Sequence, residues 1–493
     1  MKIRPTKLVE IAKKGAVERV PPAPTPELVD FDKLVKMPGR VLQLGWGSVG
    51  RAMLPLVLKH LDMEPSSVAV IEKDDNKEEF KRLHPGVGYE VIEIVEENMA
   101  KVLAAHVGRG DFIIDLAVNI DCAEILDWCR RHDVRYINTS IERWANIQDE
   151  VIPDLSERTL WAAHRDLRAS VRRWPEGSPT CIVTHGANPG IVSHFVKAAL
   201  LDIAKAMGLE IGAAPDSRSA WTALLKRTGT KVIQIAERDT QVIDRPKEVG
   251  EFVCSWSCEG FWAEGRAPSE MGWGSHETGK PANGELQIDG RAAYLKQSGM
   301  STLVRSWVPL GGSFNGYVIQ HSEAITISQY FSTSSYAPTV YYAYMPIDAA
   351  IASVHEARGR DLQKDLRIAK DEITSGIDEL GVLLLGHGKN AWWYGSQLGI
   401  DEARRLIPLQ NATALQVVAS MLGAIVWAIQ NPHEGYCEPE DLPFDEVLKV
   451  ARPYLGPIAS VQSDWRPLPE REPLFKMPFN RSEPFAFENF KVP

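Results

Sequence analysis

Apolar residues follow two different rhythms along this chain, and the change of rhythm divides it. From Arg40 to about residue 180, compact apolar runs alternate with amphipathic stretches of helical period. RVLQLGWGSVG is a short apolar strand entering a glycine-rich turn, and RAMLPLVLKHL continues as a helix. SVAVIEKDD, YEVIEIV, DFIIDLAVN and RYINTS repeat the strand signature, and Cys122 to His132 reads as a helix between the last two. Strands alternating with helices at this spacing predict βαβ units. The expected class is therefore α/β, with a Rossmann-type doubly wound parallel sheet over residues 39–180.

From about Cys181 the runs lengthen and alternate. TKVIQIAERDT, GEFVCSWSCEGFWAEG, TLVRSWVPL, NGYVIQHSEAITIS and TVYYAYMP read as strands of a largely antiparallel or mixed sheet. Helices near Ser193 to Met207 and Ser219 to Thr228 interrupt them. This predicts a second, α+β catalytic domain over residues 181–378. A mainly helical part, 379–493, is expected to pack back on the core through Ala412 to Gln430. The apolar run Ala414 to Ile429 contains Gln416 and is shorter than a membrane span requires, so it reads as a buried helix. Residues 1–38 form an extension: a short amphipathic piece leads into VPPAPTPE, where proline forces extended backbone.

Composition adds exclusions. The formal net charge is -10 without a long block of like charge, so neither a nucleic-acid nor an anionic-membrane partner is expected. Met1 to Val20 is too charged for a secretory leader. The six cysteines form no C-x-x-C and no Cys/His group with zinc spacing, so no metal site is expected. They read as reduced thiols of a cytoplasmic protein.

Gly45-Trp46-Gly47-Ser48-Val49-Gly50 fits G-x-G-x-x-G in the right context, after a strand and at the start of a helix. Gly45 would permit the tight turn, Gly47 the close approach of a pyrophosphate, and Gly50 the packing of helix on strand. The phosphates would sit at the helix N-terminus, against Ser48 and Val49. Glu72 ends the second strand, where a carboxylate takes ribose hydroxyls and repels a 2′-phosphate. NAD is therefore favoured over NADP, a preference weakened by the neighbouring Lys73.

In the second half, Ile233, Ile235 and Glu237 share one strand face, so an acid ends an apolar stripe. If SWSCEGFWAEG stays extended, Trp256, Cys258, Gly260, Trp262 and Glu264 share another face. Indoles beside a carboxylate suit an ammonium group, though the same residues also suit core and strand end. Asp121 and Glu142 follow the fourth and fifth strands, where doubly wound folds place ligands; each could instead cap a helix. His321 is either a general base or a core histidine.

TSIERW, THGANPG, IAERDTQ, SWSCEGFWAEG, MGWGSHE, GIDELGVLLLGHGKNAWWYGSQL and NATALQVV together resemble the bacterial-type homospermidine synthases, a branch related to saccharopine dehydrogenases. The resemblance runs from Arg40 to about Trp465. It implies tightly held NAD and the joining of two putrescines, or of spermidine and putrescine, into sym-homospermidine, with loss of ammonia or diaminopropane. It implies site roles for Glu142, Asn188, Glu237, Trp256, Glu264, His321, Asp121 and Asp378, and a homodimer. One departure is Arg143, which stands where family members often have proline.

The implied chemistry oxidises an amine to an imine, exchanges amines, and reduces the new imine, leaving NAD unchanged. A base must first neutralise the reacting ammonium, and Glu237 and His321 are the candidates. The rival on the same fold is an opine- or carboxyspermidine-type NAD(P)-dependent dehydrogenase. It needs a cationic clamp for a substrate carboxylate, for which Arg143, Arg238 and Arg305 are available. A non-catalytic NADH-sensing protein is the remaining alternative.

Overall fold

The structure is a computed structural model that describes residues 33–144, 152, 154–358, 365–468 and 479–492. The proline-rich stretch and the rest of residues 1–32 lie outside the described residues, as does part of the tail beyond Trp465.

Seven parallel strands form the first sheet. Their spatial order is Tyr436–Cys437, Cys181–Ile182, Arg135–Asn138, Phe112–Asp115, Val41–Leu44, Val68–Glu72 and Gly88–Val91. The chain runs outward from Val41–Leu44 to Gly88–Val91, then returns to the other side of Val41–Leu44 as Phe112–Asp115. That reversal opens a crevice at the carboxyl ends of these two strands, where doubly wound sheets bind ligands. The expected strands and the helix Cys122–His132 are all present.

Ten strands form the second, mixed sheet. Its central path runs Ala292–Ser298, Pro268–Gly272, Thr339–Met345, Val232–Asp239, Ile377–Leu385, Ala391–Gly399 and Ile458–Ser463. Only Thr339–Met345 and Val232–Asp239 pair in parallel within it; its other pairings are antiparallel. Ile233 and Ile235 face the large core shared with the helices, while Val232 and Ala236 face the opposite one. Glu237 is next in line on the first face.

Four sequence expectations change. GEFVCSWSCEGFWAEG does not stay extended: strand Glu251–Cys254 gives way to helix Cys258–Arg266. Ser257 starts that helix, its hydroxyl accepting the Gly260 N–H at 3.1 Å, and Glu259 favours the first turn. NGYVIQHSEAITIS likewise divides into strand Gly312–Tyr317 and helix Glu323–Tyr330, with His321 on the link. That helix carries no alternation signal because most of its circumference is buried. The part beyond residue 378 is not mainly helical, since its hairpin Ile377–Leu385/Ala391–Gly399 and strand Ile458–Ser463 complete the mixed sheet. A boundary at 378 cuts a strand. Finally, the end of the extension belongs to the fold, because Val35–Lys36 pairs with Leu61–Asp62 and Met37 is buried.

Helix Ala412–Gln430 joins the two sheets. Asn411 caps it, and it packs on helix Ser48–His60 and on strands of both sheets. By length and composition it could cross a membrane, but its most apolar stretch is 89% buried inside the protein. It is a core helix.

Candidate active site

A cavity of about 700 Å³ lies where the carboxyl ends of the parallel strands meet the mixed sheet. Gly45, Gly47, Ser48, Val49, Gly50 and Glu72 all line it. Gly45 holds φ +90°, open to glycine and costly for other residues. A Cβ on Gly50 would collide with the Gly45 carbonyl, whereas a Cβ on Gly47 would meet no protein atom within 4 Å. Gly47 therefore faces open space at the start of helix Ser48–His60, whose N-terminus has no side-chain cap. First-turn N–H groups have no intrahelical partner, and beside the open space at Gly47 they fit a phosphate.

Gln43 braces the turn from below, its amide donating to the carbonyls of Gly45 at 2.9 Å and Gly50 at 3.1 Å. Glu72 braces it from the side, accepting the Trp46 N–H at 2.6 Å and the Lys73 N–H at 2.8 Å. Trp46 itself points away into the core, against Phe80, with the Arg51 guanidinium 3.6 Å from its ring centre. A dinucleotide fits these residues: a glycine cradle, a helix N-terminus and a carboxylate at the end of the second strand.

The opposite wall is made of side chains. Glu237 is almost fully buried and accepts hydrogen bonds at 2.7 Å from both the Tyr342 hydroxyl and the Asn188 amide. Burial raises its carboxyl to about 7, with Asp239 adding to the shift and the Tyr342 bond and His321 opposing it. Asn188 is presented by a tight turn closed by the Gly186 N–H bond to the Pro189 carbonyl at 2.6 Å.

His321 stands between two acids, its Nε2 2.9 Å from Glu264 and its Nδ1 3.4 Å from Glu323. Burial alone would favour the neutral ring, but the two carboxylates outweigh it and hold the imidazolium well above the usual histidine range. Its ring lies 4.3 Å from that of Tyr342. Glu264 and Gly260 sit one turn apart on helix Cys258–Arg266 and both face the cavity. Trp262 and Cys258 go instead to the core. Trp256, on the link before that helix, lines the cavity and donates its indole N–H to the Tyr344 hydroxyl at 3.3 Å. Glu142 closes the side nearest the parallel sheet, accepting from the Ser140 hydroxyl at 2.8 Å and the Asn119 N–H at 3.3 Å.

Two predicted residues are not brought into this wall. Asp121 caps helix Cys122–His132, accepting the Glu124 N–H at 3.0 Å. Asp378 is buried behind the cavity, opposite Asp239 in strand register, and accepts the Thr413 hydroxyl at 2.7 Å. Burial, then Glu237 and Asp239, push its carboxyl well above the usual range. Thr413 does line the cavity and connects Asp378 to it. Sequence reasoning missed Thr413, Tyr342, Glu323 and Gln43. Alternation in TVYYAYMP could have placed Tyr342 and Tyr344 on one face, but nothing local shows which face meets Glu237.

The wall's charge is one-sided. Glu72, Asp74, Glu142, Glu237, Glu259 and Glu264 all reach it, whereas Lys73 is the only lysine or arginine among the described residues that does. Arg238 donates to the Gly311 carbonyl, and Arg305 to the Lys491 carbonyl at 2.7 Å. Neither these two nor Arg143 lines the cavity.

The family model described as saccharopine dehydrogenase NADP binding domain matches residues 41–182. The one described as saccharopine dehydrogenase C-terminal domain matches residues 186–463. A homospermidine synthase from Mesorhizobium japonicum is 39% identical over 92% of this chain and 96% of that relative. Another, from Blastochloris viridis, is 40% identical over 94% of this chain and 100% of that relative. The chain belongs to the homospermidine synthase family. A crystal structure of a family member from Legionella pneumophila, solved in complex with NAD, superposes with a TM-score of 0.85 at 38% identity. It covers 93% of this chain and 98% of that one.

Proposed function

We propose that this protein is an NAD-dependent homospermidine synthase, joining aminobutyl groups from putrescine or spermidine to putrescine. The carrying observation is a buried carboxyl poised near neutrality, Glu237, in a cavity that has a glycine cradle on one side and acids on the other. NAD would be held by Gly45, Gly47, Ser48, Val49 and Gly50, with Glu72 toward the ribose; that carboxylate disfavours a 2′-phosphate. The chemistry a bound NAD supplies is acceptance of a hydride from the amine-bearing carbon and its later return.

The chain's residues divide the remaining work. Glu237 takes the proton from the reacting ammonium, and the bonds from Tyr342 and Asn188 fix its orientation. His321 is an imidazolium held between Glu264 and Glu323, so it has no free lone pair with which to act as the base. Of the two bases considered, Glu237 is the one in the right state. Glu142 and Glu264 hold the distal ammonium, with the Trp256 indole alongside. The burial of Glu237 and His321 shields the imine derived from the diamine from water. The absence of Arg143, Arg238 and Arg305 from the wall removes the clamp that a carboxylate-binding dehydrogenase requires. We further propose a homodimer, as the resemblance implies, located in the cytoplasm, as the reading of its cysteines as reduced thiols suggests.

The test is stoichiometric. Protein given putrescine and a trace of NAD should form homospermidine and ammonia with no net NADH. NADH rising in step with product would instead identify a dehydrogenase.

A further inference from the structure

Cys254 is the last residue of strand Glu251–Cys254 and Cys258 the first of helix Cys258–Arg266. Both are buried, and their sulfurs lie 3.6 Å apart. A disulfide needs about 2.05 Å, so closing the pair takes a shift of about 1.5 Å by difference. The three residues between them are Ser255, Trp256 and Ser257. Trp256 and Ser257 line the cavity, so the link that joins the two sulfurs is also part of the active-site wall.

The indole is packed so closely that even a small shift of the link changes its contacts. A Cβ on Gly260 would stand 2.7 Å from Trp256 Cζ3, which shows how closely ring and helix are packed. The other side of the ring is tied to Tyr344. Ser255 is bonded to Asp239 at 3.1 Å, and the Cys254 carbonyl accepts the Ala369 N–H at 2.7 Å. Contraction of the link therefore displaces the indole rather than the strand.

We propose that Cys254 and Cys258 are an oxidative modification site, at which a reversible disulfide turns the enzyme off by pulling Trp256 out of register with the substrate. The oxidant class is a hydroperoxide. Hydrogen peroxide oxidises one thiol to a sulfenic acid, the O–O bond breaking and one water leaving. The second sulfur then attacks the first, the S–O bond breaks, and a second water leaves with the S–S bond formed. A small-molecule dithiol returns both thiols. Burial pushes the Cys254 thiol well above its ordinary range, so little thiolate is present and the step with peroxide is slow, which restricts the modification to sustained exposure.

The test uses the full-length protein with NAD. After graded peroxide treatment and alkylation under denaturing conditions, mass spectrometry should find the peptide spanning both cysteines short of two hydrogens and unalkylated. Homospermidine formation should fall by about 10-fold or more in proportion, and dithiothreitol should restore both. Cys254→Ser and Cys258→Ser should keep untreated activity and lose the peroxide sensitivity. Three results overturn the proposal: both cysteines still alkylated at full oxidation, cross-linked protein turning over at the reduced rate, or a serine variant inactivated as fully as the wild type. The mass readout is independent of the reaction catalysed, and the wild-type arm decides the matter even if a serine variant does not fold.

Discussion

Where the parallel sheet meets the cavity, the glycine turn presents backbone, with Glu72, Asp74 and Glu142 around it, whereas the mixed sheet's side works through buried side chains such as Glu237 and His321. At Gly45 to Gly50 the useful groups are N–H donors and the space left by missing Cβ atoms. At Glu237 and His321 they are buried ionisable groups, and at Glu264 a partly buried one, whose protonation is set by neighbours from distant segments. A backbone site is held by fixed dipoles and changes little with pH. A side-chain site of this kind depends on how many protons it carries, and it answers to the charge of whatever enters. The difference separates holding a cofactor from handling an amine.

The sharpest break is Glu237→Gln, which keeps shape but cannot take a proton. Turnover should fall by about 10²- to 10⁴-fold, while NAD affinity by calorimetry stays close to wild type because the glycine cradle is untouched. Retained turnover would remove Glu237 from the mechanism. Loss of NAD binding would show that the two walls are not independent.

Next in size is Gly47→Ala. The position has φ −71°, which alanine accepts, and no protein atom lies near the new Cβ. Thermal stability should therefore hold, but the methyl group fills the cradle, at about 1–3 kcal/mol for overpacking. That is about a 5- to 150-fold rise in the NAD Kd. Gly50→Ala should behave differently, since its Cβ strikes the Gly45 carbonyl and disturbs the fold and binding together. Equal effects from the two substitutions would refute the cradle.

This asymmetry also explains what was legible beforehand. Apolar runs, the glycine spacing and Glu72 are local signals, and the parallel sheet with its turn was readable from them. The other wall is assembled over long separations: Tyr342 reaches Glu237 across 105 residues and Asn188 across 49. No periodicity spans such gaps, so Asn188 was reached by family resemblance alone, Glu237 by strand alternation as well as resemblance, and Tyr342, Glu323 and Thr413 were missed. Local pattern misled at Ser257, where a helix start outweighed apparent alternation and sent Trp262 to the core. It also left Asp121 open between cap and site.

A third prediction concerns protons. With its carboxyl raised to about 7, Glu237 is partly protonated in the substrate-free enzyme at neutral pH. An arriving dication favours the charged form, so putrescine binding should release up to about one proton per site. Release should fade as pH rises above 7, where the carboxyl is already ionised. A folded-state value above the ordinary carboxyl value of 4.5 contributes stability below that value, which is lost as pH rises through 7. Diamine should therefore raise Tm more at pH 8 than at pH 6. Calorimetry in buffers of different ionisation enthalpy measures the proton count, and zero release at pH 6.5 would mean that Glu237 is charged from the start.

The smallest effect is the most discriminating about Asp121. Its side chain caps helix Cys122–His132 and does not reach the cavity wall. Asp121→Ala should cost about 1 kcal/mol of stability in a urea titration and leave kcat/KM within about twofold, the range of a surface change. Asp121→Asn preserves the cap, since asparagine serves that position as well as aspartate, and removes only the charge. Both stability and turnover should then match wild type. If Asp121→Asn holds its stability but loses activity, the charge itself is used in the reaction, and Asp121 joins the acids that act on the cavity.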